Sequence, residues 1–167
     1  TVVDDLLIYR HNARHFLLVV NAGNTQKDLD WINSHNRFNA AVENISDRIS
    51  LLAIQGPHSA TVLQKLTVCS LSGIRNYHFA RGKVSDADTI ISRTGYTGED
   101  GFELYFSPEH SESVWNALLE SGAAGDGRAA APGRDAAREL SRWASASPGA
   151  LQRGEARRVE MLFDESS

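Results

Sequence analysis

The feature that most constrains this chain is a glycine-spaced turn between two β-prone runs, Ile90-Ile91-Ser92-Arg93 and Phe102-Glu103-Leu104-Tyr105-Phe106. Glycines at 95, 98 and 101 interrupt the apolar pattern, so the segment reads as strand, irregular turn, strand. Glycine accepts positive φ and lets other atoms approach the backbone closely, while Thr94, Thr97 and the Glu99-Asp100 pair can bond the freed amides. Strand alternation places Phe102, Leu104 and Phe106 on one face and Glu103 and Tyr105 on the other. Glu103 is thereby a partly enclosed carboxylate beside an open loop. Enclosed acids need partners, so it is the first candidate for holding a small molecule.

Working outward, Leu6 to Arg10 and Phe16 to Val20 predict a hairpin closed by polar His11-Asn12-Ala13-Arg14-His15. The second of these strands is continuously apolar and is read as central, covered on both faces. Asn24 or Thr25 is set to cap a helix with Leu29, Ile32 and Trp31 inward and Lys27, Asp28 and Asp30 outward. Ser50 to Ile54 predicts a buried strand, and Gln55-Gly56-Pro57 a turn with proline at the first helical position. Val62, Leu63 and Leu66 line the next helix. Asn76 to Ala80 and Val84 to Arg93 are extended, and Ser107-Pro108-Glu109 opens a helix with Val114, Trp115, Leu118 and Leu119 inward, stopped by Gly122. The order ββαβαβββα lacks the alternation of a parallel sheet, so the fold class is α+β, helices on a mixed or antiparallel sheet.

Chemistry is narrowed by what the chain carries. A formal net charge of −4 gives no basic face for nucleic acid. No apolar run approaches the ~20 residues of a membrane helix, which with a single cysteine, Cys69, favours a cytoplasmic or similarly reducing setting. The six histidines show no metal-ligand spacing, so no metal site is assigned. The glycines at 95, 98 and 101 match neither a dinucleotide fingerprint nor a phosphate loop and precede a strand, not a helix. Asp4-Asp5 and Glu99-Asp100 are paired carboxylates, read respectively as a strand start and an exposed turn.

Four blocks, in order, carry a resemblance: Val3-Asp4-Asp5-Leu6-Leu7-Ile8-Tyr9-Arg10; Val20-Asn21-Ala22-Gly23-Asn24 with Lys27-Asp28; Ala53-Ile54-Gln55-Gly56-Pro57; and Arg93-Thr94-Gly95-Tyr96-Thr97-Gly98-Glu99-Asp100-Gly101-Phe102-Glu103. Together they make residues 1–121 similar to the folate-binding domain of the aminomethyltransferases, the T-proteins of the glycine cleavage system. The resemblance implies an enzyme that takes an aminomethyl group from the lipoyl arm of H-protein and passes the carbon to tetrahydrofolate, releasing ammonia. It implies that Glu103 holds the pterin, that Tyr96 lines the folate pocket, and that Arg134, within Gly133-Arg134-Asp135, contacts folate. It places the family's catalytic aspartate before the Asp4-Asp5 block, leaving no catalytic residue to assign. A non-catalytic folate-binding or scaffold module, and another folate-dependent methyltransferase or demethylase of the superfamily, are the alternatives.

Residues 122–167 are set apart. They hold 11 alanines against 9 in the first 121 residues, and their seven basic residues are all arginine. Arg134 to Ala146 has helical propensity, whereas 122–132 and 144–167 read as loose. This shift, where the family pattern is lost, predicts a divergent tail from a frameshift or truncation, and an inactive chain with weak folate affinity. An open strand edge at the start predicts self-association.

Overall fold

The structure, a computed structural model, describes residues 2–95, 98–123 and 156–162, with the backbone alone for Ala123 and for 156–162. The chain separates into two units, residues 1–49 with 153–167, and residues 50–152. Each carries a four-stranded sheet in which every strand pair is antiparallel. The α+β class is therefore met in its antiparallel form.

In the first unit, β1 (Leu7–Arg10) and β2 (His15–Asn21) form the expected hairpin, with Leu7 opposite Val19. The sheet order is β1-β2-β8-β3, where β3 is Ala41–Asn44 and β8 is Ala156–Leu162. Leu17 through Val20 are all buried, as an inner strand covered on both faces requires. Helix α1 (Thr25–His35) sets Leu29 and Ile32 against Leu18 and Val20. Two strands depart from the sequence reading. β3 is only four residues long, too short to show a period, and β8 lies within the segment read as loose, where the backbone ladder to β2 and β3 overrides weak local propensity.

The second unit has the order β4-β7-β6-β5, with β4 Ser50–Gln55, β5 Phe79–Val84, β6 Ala87–Ser92 and β7 Gly101–Phe106. The extended region read as 76–80 and 84–93 is a tight hairpin instead. Its break falls at Ser85, whose φ of 50° supplies the left-handed turn residue. Phe102, Leu104 and Phe106 join Leu52, Ile54 and Ile91 in one core, with helices α2 (Ser59–Gln64) and α3 (Ser111–Ala123) supplying Val62, Leu63, Val114 and Leu118. Pro57 precedes α2 by two residues, and Gly122 lies inside α3. Burying the Phe102 side chain alone is worth about 2 kcal/mol. Because this face of β7 is committed to the core, the alternate face is left for Glu103 and Tyr105.

Candidate functional site

Glu103 lies on β7 between Ala53 of β4 and Ser92 of β6. Its Oε2 accepts hydrogen bonds from the Thr94 hydroxyl at 2.5 Å and the Tyr105 hydroxyl at 3.0 Å. Thr94 Oγ1 is also 3.1 Å from Ser92 Oγ. Since a hydroxyl has one proton and Thr94 gives it to the carboxylate, Ser92 is the donor in that pair, and the three groups form a chain that reinforces itself. Ser92 and Thr94 are buried. Oε1 of Glu103 receives no hydrogen bond among the described residues. Among the described residues the carboxylate is thus held by one oxygen and unpaired at the other.

The loop between β6 and β7 is clasped by Arg93 and Asp100. Arg93 donates Nε to Asp100 Oδ1 at 2.8 Å and Nη2 to Oδ2 at 2.7 Å, and its Nη1 donates to the Ile74 carbonyl at 3.0 Å. The guanidinium holds the Asp100 carboxyl below the usual carboxylate range, and the Asp100 carbonyl accepts from Gly56 N–H and the Ser59 hydroxyl. Asp100 is therefore a bidentate partner, not the hydrated turn residue that its sequence setting implies.

The glycines divide the work. Gly98 has a φ of 76°, a conformation that side chains disfavour. Gly95 and Gly101 make room for Gln55: a Cβ on Gly95 would stand 1.8 Å from Gln55 Oε1, and one on Gly101 2.6 Å from its Cδ. The Gln55 amide donates to the carbonyls of Thr94 at 3.3 Å and Phe102 at 3.5 Å.

In the first unit, Asp4 is surrounded by donors. Its Oδ1 accepts from Asp5 N–H at 2.9 Å and Asn21 Nδ2 at 3.0 Å; its Oδ2 accepts from Asn24 Nδ2 at 2.6 Å and Lys27 Nζ at 3.1 Å. These bonds, the Lys27 ammonium first, hold the Asp4 carboxyl well below the ordinary aspartate range. Asn24 occupies the N-cap position of α1 but makes no side-chain cap there, since its amide is turned to Asp4. A carboxylate that stays ionised is a poor proton acceptor near neutral pH and a good neighbour for a positive charge.

The family model described as the GCVT N-terminal domain matches residues 1–157 of this chain. The chain belongs to that family. Among curated relatives, the aminomethyltransferase of Phocaeicola vulgatus is 53% identical over 123 residues, 73% of this chain and 34% of that protein. Those of Chloroherpeton thalassium and Desulfitobacterium hafniense are 52% and 51% identical over 122 residues, each covering 72% of this chain, and 34% and 33% of those proteins. The chain spans about a third of the length of these relatives.

Within this GCVT domain chain, Glu103 is the one nominated binding residue that the structure describes; Tyr96 and Arg134 lie outside the described residues. Sequence reading missed the hydroxyl partners Thr94 and Tyr105, although Tyr105 follows Glu103 by two on the same strand face and was legible from period alone. It also set Asp4 aside and placed Asp28 outside, whereas Asp28 is 3% exposed. Among the described residues no three His, Cys, Asp or Glu side chains converge to hold a metal ion, and no helix is long and apolar enough to cross a membrane.

Proposed function

We infer that this chain is the folate-facing part of an aminomethyltransferase of the glycine cleavage system, in which the carbon of an aminomethyl group carried by lipoylated H-protein passes to tetrahydrofolate. The observation that carries this reading is the half-satisfied carboxylate of Glu103. Two hydroxyls fix Oε2 and with it the plane of the group, while Oε1 has no partner among the described residues. A pterin presents a ring N–H and an amino N–H in parallel, and a fixed carboxylate accepts such donors through short, charge-assisted bonds. Because the side chain is already held, binding has little of it left to order.

Tetrahydrofolate supplies the amine nitrogen that receives the carbon. The chain's own share is to orient the pterin through Glu103 and to keep the loop shaped through the Arg93–Asp100 clasp. Tyr96 and Arg134 complete the folate contacts in this reading. Residues 1–121 are the middle of the folate-binding domain, residues 122–167 a divergent tail, and the setting is cytoplasmic. Strand β1, at the edge of its sheet, is the surface for self-association.

The test is titration of the chain with tetrahydrofolate, followed by chemical-shift changes that remain measurable at weak affinity. Replacing a charge-assisted pair costs about 1.5–3 kcal/mol, so Glu103→Gln is expected to weaken binding about 10- to 100-fold. Equal affinity in Glu103→Gln and the unaltered chain rejects the pterin assignment. Transfer from aminomethylated H-protein, detected or not, then separates an enzyme from a folate-binding module.

A further inference from the structure

Asp28 stands outside the reading above. It lies in the first turn of α1, is 3% exposed, and neither carboxylate oxygen has a hydrogen-bond partner among the described residues. Lys27 Nζ is 3.5 Å from Oδ1, with a closer contact of 3.1 Å to Asp4. The charged groups that face Asp28 among the described residues are thus Lys27 on its own helix and Asp4 on the segment before β1. Asp4 already takes the better share of the ammonium and of both asparagine amides.

An ionised Asp28 would be a buried charge near a second carboxylate, with the Lys27 ammonium, at 3.5 Å and already bound to Asp4, as its compensating charge among the described residues, an arrangement that is unfavourable if nothing else relieves it. One proton relieves it. A carboxylic acid at Asp28 becomes a donor, and the acceptor that shares the Lys27 ammonium with it is the Asp4 carboxylate.

We propose that Asp28 is a proton-holding positioning residue: it stands as the neutral acid, donates a hydrogen bond to the Asp4 carboxylate, and so helps fix Asp4 as the ionised member of a pair that shares one proton. The directions of titration agree. Burial and the Asp4 charge push the Asp28 carboxyl up while the Asp4 carboxyl is held down, the division of roles that two interacting carboxylates adopt when their environments differ. The pair lies within the first unit and does not depend on whether Glu103 binds a pterin.

The decisive measurement is a carbon-13 titration of the aspartate carboxyls in the unaltered chain, which needs no variant to fold. Asp28 is expected to titrate above the ordinary aspartate value and Asp4 below it, with each resonance sensing the other's step. Asp28→Asn keeps a donor in place of the acid O–H, so the low titration of Asp4 survives and the thermal midpoint moves by no more than about 2 °C at pH 7. Asp28→Ala removes the donor and shifts the Asp4 titration upward. If Asp28 titrates at or below the ordinary value, or if Asp28→Asn disturbs Asp4 as much as Asp28→Ala does, Asp28 is an ionised partner of Lys27 and the proposal is overturned.

Discussion

The two units each hold a carboxylate in a prepared setting, and the settings are opposite. Asp4 is met on both oxygens by N–H donors, one of them an ammonium. Among the described residues Glu103 is met on one oxygen, by two hydroxyls. The difference lies in what each can still accept. Asp4 has its donors supplied from within the protein and keeps its charge in place, whereas Glu103 has a fixed orientation and an oxygen to offer. Hydroxyls suit the second task, because they orient a carboxylate without the full charge that an ammonium or guanidinium would bring to it.

The largest expected effect comes from stripping Glu103 of its fixed side. Thr94→Val with Tyr105→Phe removes both hydroxyls at nearly constant volume and leaves a partly enclosed carboxylate without the donors it has among the described residues. Loss of two such bonds is expected to lower the unfolding free energy by about 2 kcal/mol at pH 7. The single variants show how the loss divides, with Thr94→Val the larger because its bond is shorter and Thr94 also receives the Ser92 hydroxyl. Urea unfolding of the three variants checks this. A double variant as stable as the parent would mean that the hydroxyls do not hold Glu103, and the contrast with Asp4 would collapse.

Asp4 sharpens the same contrast through pH. Its folded-state carboxyl titrates below the unfolded value of 3.8, so its contribution is fully present above that value and is lost as pH falls through and below it. Asp4→Asn should therefore flatten the acid limb of the stability curve below 3.8. Denaturant midpoints measured from pH 2 to 7 give the comparison directly. An unchanged acid limb would assign the acid sensitivity to Asp100, the other carboxyl held low.

How much of this was legible in the sequence follows the range of the interactions. The β6–β7 hairpin, the two faces of β7 and the inward line of α3 follow from local period and turn chemistry, and they stand as read. Strand β8 escaped because its pairing partners are more than a hundred residues away, and no local pattern records such a ladder. Asp100 escaped because its partner is seven residues back across the loop. Asp28 is the instructive case. Thr25, Asp28, Leu29 and Ile32 follow the spacing i, i+3, i+4, i+7, and Thr25 and Asp28 are buried while Leu29 and Ile32 pack on the sheet. Period alone placed Asp28 inward, and the habit of putting charges outside overrode it.

The smallest expected effect separates loop shape from ligand contact. Arg93 and Asp100 are 25% and 34% exposed, so solvent screens their pairing and the bidentate contact contributes about 1 kcal/mol at most. Asp100→Asn leaves one good hydrogen bond and removes the charge, and it is expected to cost somewhat less than that at pH 7. The sign with pH follows from the lowered titration: the difference between variant and parent should shrink as pH falls below 3.8, where the unfolded chain's carboxyl takes its proton, and on through the lower folded-state value, where the parent's carboxyl does. The backbone carbonyl of Asp100 still accepts from Gly56 and Ser59 in the variant, so the loop keeps its anchor to the start of α2. Folate titration of Asp100→Asn should then show a change under about threefold, against the 10- to 100-fold expected for Glu103→Gln. A loss in Asp100→Asn as large as that in Glu103→Gln would mean that the clasp, and not the half-satisfied carboxylate, sets the affinity of this face.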